Sequence, residues 1–510
     1  MNVTDAIVRQ CHRTPDAIAL IDNGRPHTYR ELLGCIQDAM ASMRQAGVRP
    51  GQHVAIDLDL GQHGIVAMLA LARMGASVSS IRDGYPLAEK QALLARHGAA
   101  FVIHEATATW DRHRPALPPF TSLLREDTLT DAPSDPAAAG GAEFPGVDRA
   151  DFPWLLHTTS GTTGVRKSVA VTHAQFMAQT AMSNSAWGTD FERAYIAMGI
   201  DVSFAKHQLL RTLQLGNTLI TNSEGSLESF YQVIQRDRPT AIFTGTGTIP
   251  YLMQYQRHMA QQPPPRCAPG TLLTVMGSTL HPLQLRWILD HFCDRVRVNM
   301  GSTEAVATAY MDNDFMAAHP DVHGILAPWA QMQAVDQSDS VLPAGTEGTL
   351  RVKTPAMAQE YLDDPNATAA SFRNGWFYPG DIGSIDARGF IRLSGRLQQV
   401  VNLGGEKINV TRIENLLTGL AQIREIAVVT VPDPEGSGPM LIAVVVPDSQ
   451  NLDKDGLTRE IQHTCALQLG VMHSPKIVMY SRSLPRNSFG KVMLEQLQQT
   501  IQDLLGQSRA

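Results

Sequence analysis

Aromatic residues make up only 6% of this 510-residue chain, and cysteines number five. Cys11, Cys35, Cys267, Cys293 and Cys465 are widely spaced and odd in number, with no CxxC pair and no Cys/His cluster, which argues against a disulfide framework and against structural zinc. A reducing, cytoplasmic compartment is the expectation. Long apolar runs are missing too: the longest, Gly64 to Ala72, stops at Arg73. The opening MNVTDAIVRQCHRTPDA carries charge where a signal peptide would have an apolar core, so neither export nor a membrane span is expected. Basic charge is not in excess. With 42 Lys and Arg against 49 Asp and Glu, the net charge is −7, and no whole-chain positive field exists to attract nucleic acid.

Apolar residues at 43%, charged residues at 18%, 40 Gly and 30 Pro describe a globular protein, and the length calls for a large unit plus at least one smaller one. Ala17 to Ile21 and His53 to Leu58 suit strands, and each leads to a helix-like stretch, Tyr29 to Gln45 and Gly64 to Met74. That alternation predicts an α/β layered sheet. DAPSDPAAAGGAEFPG, from Asp131, reads as a surface linker within the large unit, and QPPPRCAPG near Pro263 as a second loop. After Gly395 the pattern changes to short strands, Ile426 to Val431 and Leu441 to Val446, and a helix from Lys454 to Leu469. A domain boundary is therefore expected near Arg396, dividing the chain into 1–395 and 396–510. No internal repeat is evident.

The segment FPWLLHTTSGTTGVRKSVAVTH, Phe152 to His173, runs from an apolar strand into a loop of Ser, Thr and Gly that ends in Lys167. Glycines let backbone N–H groups approach an oxyanion, hydroxyls add donors, and the lysine supplies a movable positive charge, so the loop suits phosphate. A Walker A loop does not fit, because Lys167 follows Arg166 rather than Gly. A dinucleotide fingerprint does not fit either, because Val169, Ala170 and Val171 favour a strand where that motif opens a helix. A polar turn between two strands would have the same composition.

TTSGTTGVRKS nevertheless resembles the phosphate loop of the acyl-adenylate-forming superfamily of acyl-CoA synthetases, adenylation domains and luciferases, usually TSGTTG-x-P-K-G. Four further segments are similar to that family's motifs, in the family's order. NMGSTEA, Asn299 to Ala305, resembles YG-x-TE; WFYPGDIG, Trp376 to Gly383, the ribose-binding TGD motif; GRLQQVVNLGGEKINVTRIE, Gly395 to Glu414, the hinge; and PRNSFGK, Pro485 to Lys491, the terminal P-R-x-x-x-G-K. The resemblance spans nearly the whole chain. It implies a large multi-layer N-terminal domain that binds ATP and the acid, and a small mobile α+β C-terminal domain hinged near 396–399. The implied activity is that of an AMP-forming ligase: ATP and a carboxylic acid give an acyl-AMP, and a thiol then displaces AMP.

The resemblance also implies roles. Thr159, Ser160, Gly161, Thr162, Thr163, Gly164 and Lys167 would bind the β- and γ-phosphates, Thr303 the α-phosphate, and Glu304 a magnesium ion, which prefers oxygen ligands. Met300 and Gly301 would lie at the adenine, and Asp381 and Arg396 at the ribose and phosphate. Lys491 would bridge the substrate carboxylate and the α-phosphate in the adenylating conformation. Gly404, Gly405, Glu406 and Lys407 would shape the thiol channel after domain rotation.

Three positions depart from the family pattern: Arg166 for Pro, Met300 for the adenine-stacking Tyr, and Gln398 for a hinge Asp or Lys. Met can still cover a purine face, though without aromatic stacking. The acid pocket is expected along Gly199 to Gln208, Phe243 to Pro250, Val275 to Thr279 and the residues just before Met300, with Asp201, His207, Gly277 and Ser278 as substrate-binding candidates. Asp201 in IDVS resembles the aspartate that binds an α-ammonium in amino-acid-activating relatives, or is an ordinary loop Asp. His207 could be a gate of the acyl-CoA ligase type, and Lys206 could meet a second acidic group or face water. No phosphopantetheine attachment motif is found, and the chain ends about twenty residues past Lys491, so a stand-alone enzyme is expected. Its acceptor would be coenzyme A or the phosphopantetheine of a separate acyl or peptidyl carrier protein, as in specialised metabolism. The alternatives are a stand-alone amino-acid adenylating enzyme loading a separate carrier protein, and a non-catalytic nucleotide-binding paralogue.

Overall fold

The computed structural model describes residues 1–81, 85–105, 122–125, 146–159, 166–259, 263–277, 280–403, 406–432, 439–449, 453–486 and 492–507. The chain divides into two compact units. Met1–Pro320, Ala327–Ala330 and Lys353–Gly375 form the first; Asp321–Leu326, Gln331–Val352 and Trp376–Ala510 form the second.

The first unit is built on two sheets. One runs in the order Ser122–Arg125, Ala99–His104, His53–Asp57, Ser77–Ser80, Pro153–Thr159 and Lys167–Thr172, parallel throughout except for the last pair. The other runs Arg25–Thr28, Ile18–Asp22, Thr218–Thr221, Arg193–Ile196, Ala241–Gly245, Leu272–Met276, Arg295–Ser302 and Val306–Asp312, with an antiparallel pair at each end and parallel strands between. Parallel neighbours need crossover helices and are covered on both faces, which accounts for their apolar runs. The α/β architecture expected from the alternation is present, and the stretch around Val169 is a strand, Lys167–Thr172.

Helix Tyr29–Gln45 has the predicted bounds, because Thr28 and Glu31 close a capping box at its start. Helix Gln62–Met74 begins two residues before the predicted Gly64; its first N–H donates to Asp22 Oδ2 at 3.1 Å, a cap supplied from a distant strand. Helix Ser203–Leu215 is buried from Phe204 to Leu213. It packs on strands Arg193–Ile196 and Thr218–Thr221 of the second sheet, while its His207 ring stacks on His157 of the first. A helix held between two sheets has no face left for water. Residues 131–145 of the expected linker lie outside the described residues, and 263–268 have no regular structure.

The second unit contains an antiparallel sheet in the order Gly324–Leu326, Phe390–Arg396, Asp381–Ile385, Gly348–Lys353 and Trp376–Phe377, with Gln331–Val335 beside Gly348–Lys353. Its last part is a small α+β body. Strands Ile423–Pro432, Pro439–Pro447 and Ile477–Tyr480 alternate their side chains between two apolar clusters. Val428, Leu441, Ala443 and Val445 pack with Leu457, Ile461 and Cys465 of helix Lys454–Gln468. Val429, Val431, Ile442 and Val444 pack with Leu497 and Ile501 of helix Leu494–Gln507. All five cysteines are buried, and none is in a disulfide. Among the described residues, no helix is long and apolar enough to cross a membrane.

Candidate active site

In the first unit, strands Pro153–Thr159 and Lys167–Thr172 pair so that Thr159 lies opposite Lys167 at the mouth of the loop. Ser160, Gly161, Thr162, Thr163 and Gly164 lie outside the described residues. The end at which the chain leaves the loop is anchored twice. Ser168 is buried against His97, with Nε2 to Oγ at 2.8 Å. Arg166, at the usual proline position, pairs with Glu89, offers its carbonyl to Arg96, and lies 4.1 Å over the Tyr85 ring. Charge and stacking thus hold a backbone that proline would hold by ring geometry. Lys167 Nζ sits 4.8 Å over the ring of Tyr361.

The Thr-Glu segment follows strand Arg295–Ser302. A Cβ on Gly301 would lie 2.1 Å from the Val306 carbonyl, so only glycine fits that close approach. Val306 has φ of 62°, a left-handed conformation costly for a β-branched residue, which turns the chain back after Glu304. Thr303 and Met300 are half-buried. Glu304 is buried; Oε1 accepts a hydrogen bond from the Tyr361 hydroxyl at 2.7 Å, and its carbonyl accepts from Ala358 N at 2.8 Å. Tyr361, 57 residues away in sequence, thereby joins Lys167 to Glu304. The sequence reading missed it, because nothing local marks it.

Four parallel strands, Arg193–Ile196, Ala241–Gly245, Leu272–Met276 and Arg295–Ser302, end at one edge of their sheet, where Gly245 pairs with Met276 and Met276 with Asn299. Ligands of α/β sheets bind outside such carboxyl ends. Gly277, exposed and at φ 113°, follows one of them; Ser278 lies outside the described residues. Asp201, at the start of helix Ser203–Leu215, is buried and accepts from the Tyr85 hydroxyl at 3.3 Å. Lys206 does not face water: it is 1% exposed, and burial pulls its ammonium down to about 8 while the Asp201 charge opposes that shift. His207 is stacked 4.4 Å from Phe176 and 5.9 Å from His157, with Nδ1 2.9 Å from Ser203 O and Nε2 2.6 Å from Gln179 Oε1. Burial holds its imidazole down at about 4, so it is neutral at pH 7.

In the second unit, Asp381 and Arg396 lie opposite each other on paired strands, with Nε to Oδ1 at 3.1 Å. Gly380 has φ of 80° and its carbonyl accepts from Leu397 N at 2.7 Å. The Asn409 amide fills the space where Gly395 lacks a Cβ, donates to Ser394 O at 2.7 Å, and caps helix Val410–Leu417 by accepting from Thr411 N at 3.1 Å. Lys491 lies outside the described residues, between Arg486 and Val492, which form an antiparallel bridge. Gly404 and Gly405 also lie outside; Glu406 and Lys407 open strand Glu406–Asn409.

As for magnesium, Glu304 supplies one hard carboxylate, and among the described residues no group of three or more His, Cys, Asp or Glu is gathered as a cage. A single carboxylate of this kind would suit an ion otherwise held by substrate phosphates.

Residues 7–362 match the family model described as AMP-binding enzyme, and residues 412–491 the model described as AMP-binding enzyme C-terminal domain. A feruloyl-CoA synthase of Amycolatopsis sp is 28% identical over 505 residues, which is 95% of this chain and 96% of that protein. The amide bond synthetase McbA from Marinactinospora thermotolerans superimposes with a TM-score of 0.83 at 22% identity, covering 97% of this chain and 99% of the other. O-succinylbenzoate coenzyme A synthetase (MenE) from Bacillus subtilis, in complex with ATP and magnesium ion, gives 0.82 at 21% identity, with 97% and 99% covered.

Proposed function

The chain belongs to the AMP-binding enzyme family, and from that premise we propose that it is an AMP-forming acid–thiol ligase using ATP, with coenzyme A as acceptor. The carrying observation is the Tyr361 bridge: one side chain holds a cation, Lys167, and a carboxylate, Glu304, in fixed register. Such a pair suits a nucleotide triphosphate, whose phosphates need positive charge on one side and a metal-bearing oxygen on the other. The coenzyme A reading is supported by the full-length likeness to a feruloyl-CoA synthase.

In the first half-reaction a carboxylate oxygen bonds to the α-phosphorus and the bond to the β-phosphate oxygen breaks, releasing pyrophosphate. Thr159, Lys167 and the Ser160–Gly164 loop hold the departing phosphates, Thr303 donates to the α-phosphate, and Lys491 neutralises charge between carboxylate and α-phosphate. A magnesium ion on Glu304 would supply further neutralisation of the phosphates. Met300 and Gly301 line the adenine, and Asp381 accepts from the ribose hydroxyls with Arg396 beside it. In the second half-reaction the thiol sulfur bonds to the acyl carbon, AMP departs with the bonding pair, and the thiol proton passes to solvent. The hairpin Val400–Leu403 and Glu406–Asn409 belongs to that step. The boundary near Arg396 is supported by the separate apolar clusters of residues 403–501.

The acid is not an amino acid in this proposal. Asp201 already receives the Tyr85 hydroxyl and faces the Lys206 charge, so an incoming α-ammonium would meet a carboxylate whose charge is offset. A cytoplasmic setting follows from the coenzyme A reading. ATP–pyrophosphate exchange over fatty, aryl and amino acids, with Lys491→Ala as control, tests the assignment; exchange confined to amino acids, or silence with ATP bound, would sink it. Acyl transfer to a phosphopantetheinylated carrier and not to coenzyme A would move the acceptor.

A further inference from the structure

Lys167 stands between two residues that face away from it. Successive side chains of a strand point to opposite faces, so Lys167 and Ser168, adjacent in strand Lys167–Thr172, leave it on opposite sides. On one side Lys167 Nζ lies over the Tyr361 ring. On the other, Ser168 Oγ meets His97 Nε2 at 2.8 Å, and Arg166 meets Glu89 with its side chain and Arg96 with its carbonyl. Glu89, Arg96 and His97 all belong to helix Leu87–His97. One helix thus holds both neighbours of the lysine.

Ser168 is the tighter of the two links. It is fully buried, and its carbonyl accepts from Leu362 N at 2.7 Å. The residue after Lys167 is therefore bonded to the residue after Tyr361, and Val169 packs on Tyr361 beside them. Ser168 also departs from the usual motif, which has Gly at this place and could make no side-chain bond to a helix.

Behind His97 the bonds continue. His97 Nδ1 stands 3.3 Å from Ser79 Oγ, His53 Nε2 2.9 Å from the same hydroxyl, and His53 Nδ1 3.0 Å from Ser77 Oγ. The two rings meet edge to face with centroids 5.3 Å apart. Ser77 and Ser79 share one face of strand Ser77–Ser80, and His53 lies opposite Ser77 on the neighbouring strand, so the far end of the chain is fixed in the sheet. A neutral imidazole offers one donor and one acceptor, and a serine hydroxyl one donor, so all four contacts are satisfied when the bonds run in one direction along the chain. Removing His97 takes that partner from Ser79 and Ser168 in a place water does not reach.

We propose that His97 is a positioning residue for ATP: through Ser168 it sets the angle at which Lys167 leaves its strand, and so aims the ammonium at the departing phosphates. The inference rests on the ligase reading above, which puts Lys167 at the β- and γ-phosphates, and adds the residue that aims it.

AMP lacks those phosphates, so the test compares binding of ATP with magnesium and of AMP to the full chain by calorimetric titration. Lys167→Ala, the reference, should weaken ATP and leave AMP unchanged. His97→Asn places an amide near the Nδ1 position, keeping Ser79 and losing Ser168; it should weaken ATP about tenfold and AMP less than about twofold. His97→Gln reaches the Nε2 position and should bring ATP binding back to within about threefold of wild type. Combined with Lys167→Ala, His97→Asn should weaken ATP no further, because its effect passes through the lysine. Should His97→Asn fail to fold, Ser168→Ala removes the same bond from the other end and should show the same loss confined to ATP. Additive losses, equal losses in His97→Asn and His97→Gln, or loss of ATP and AMP together in both His97→Asn and Ser168→Ala overturn the proposal, since the chain would then serve the fold and not the lysine. Unchanged ATP binding in His97→Asn, where Lys167→Ala loses it, also overturns the proposal and leaves the ligase reading standing. If Lys167→Ala binds ATP as the wild type does, the phosphate role of Lys167 in that reading falls, and this proposal with it.

Discussion

The Tyr361 hydroxyl donates to Glu304 Oε1 at 2.7 Å, and both residues are buried. A hydrogen bond to a buried carboxylate contributes roughly 1.5–3 kcal/mol, and here it also holds the orientation of the Glu304 carboxylate. Burial, followed by the Glu304 charge, pushes the Tyr361 phenol well above its ordinary value, so it remains a donor at every working pH.

Tyr361→Phe should therefore lower the exchange rate by about ten- to a hundredfold and raise the magnesium concentration needed for half-maximal rate. The ring that carries Lys167 is kept in this variant. An unchanged magnesium dependence would show that the hydroxyl does not orient Glu304.

Lys491→Ala is expected to abolish pyrophosphate exchange while thioester formation from a supplied acyl-AMP continues. The measurement is a single-turnover assay with synthetic acyl-AMP and coenzyme A. Equal loss of both half-reactions would contradict a role confined to adenylation.

Arg166→Ala removes the ion pair with Glu89 and the stack on Tyr85. KM for ATP should rise severalfold if the loop holds the phosphates as proposed, since it loses one of the anchors at its trailing end, and Arg166→Lys should not restore it because an ammonium cannot stack as a guanidinium does. Kinetics of both variants at saturating acid check this, and full rescue by lysine would refute it.

The two units should respond to pH with opposite sign. In the first, His53 and His97 bond to Ser77, Ser79 and Ser168. Burial, aided by the His97 and Arg96 charges respectively, holds them down at about 3 and about 4, against an ordinary 6.5. Between those values the unfolded chain binds the protons and the folded one does not, so stability falls as pH drops below about 6.5, at roughly 1.4 kcal/mol per pH unit for each group. In the second unit, burial lifts Glu414 from 4.5 to about 7 against the Val428 N–H bond. There the folded state keeps the proton, and stability is lost as pH rises through about 7. Hydrogen exchange followed by region at pH 5.5 and 8 should show strand His53–Asp57 opening first in acid and helix Val410–Leu417 first in base, with Glu414→Gln removing the second trend. The same order of opening at both values would contradict it.

The family was legible because its motifs are short and contiguous. The glycines and hydroxyls around Lys167 and the Thr303–Glu304 pair each announce themselves locally. Helix Tyr29–Gln45 was legible for the same reason, its cap lying within four residues of its start. What escaped was supplied from afar. The start of helix Gln62–Met74 depends on Asp22, Glu304 depends on Tyr361, and Arg166 makes sense only beside Glu89 and Tyr85. The sequence left Lys206 open between a second acidic group and water, because SFAKHQLLRTLQL spreads polar residues around the helix. In the fold His207, Arg211 and Thr212 bond within the helix or to the helix beside it instead.

Helix Ser203–Leu215 will therefore be epistatic ground. Arg211 bonds to Asn184 and Gln208, Thr212 to the Gln208 carbonyl, and His207 to Gln179. A change at any one position strands the partner in a place water does not reach, so single replacements across this helix sample mostly damage, and their effects will not sum. Shifts in acid preference, whether by drift or by directed evolution, would have to come as paired exchanges along the helix or from the strand ends of the second sheet, where Gly277 already stands in the open.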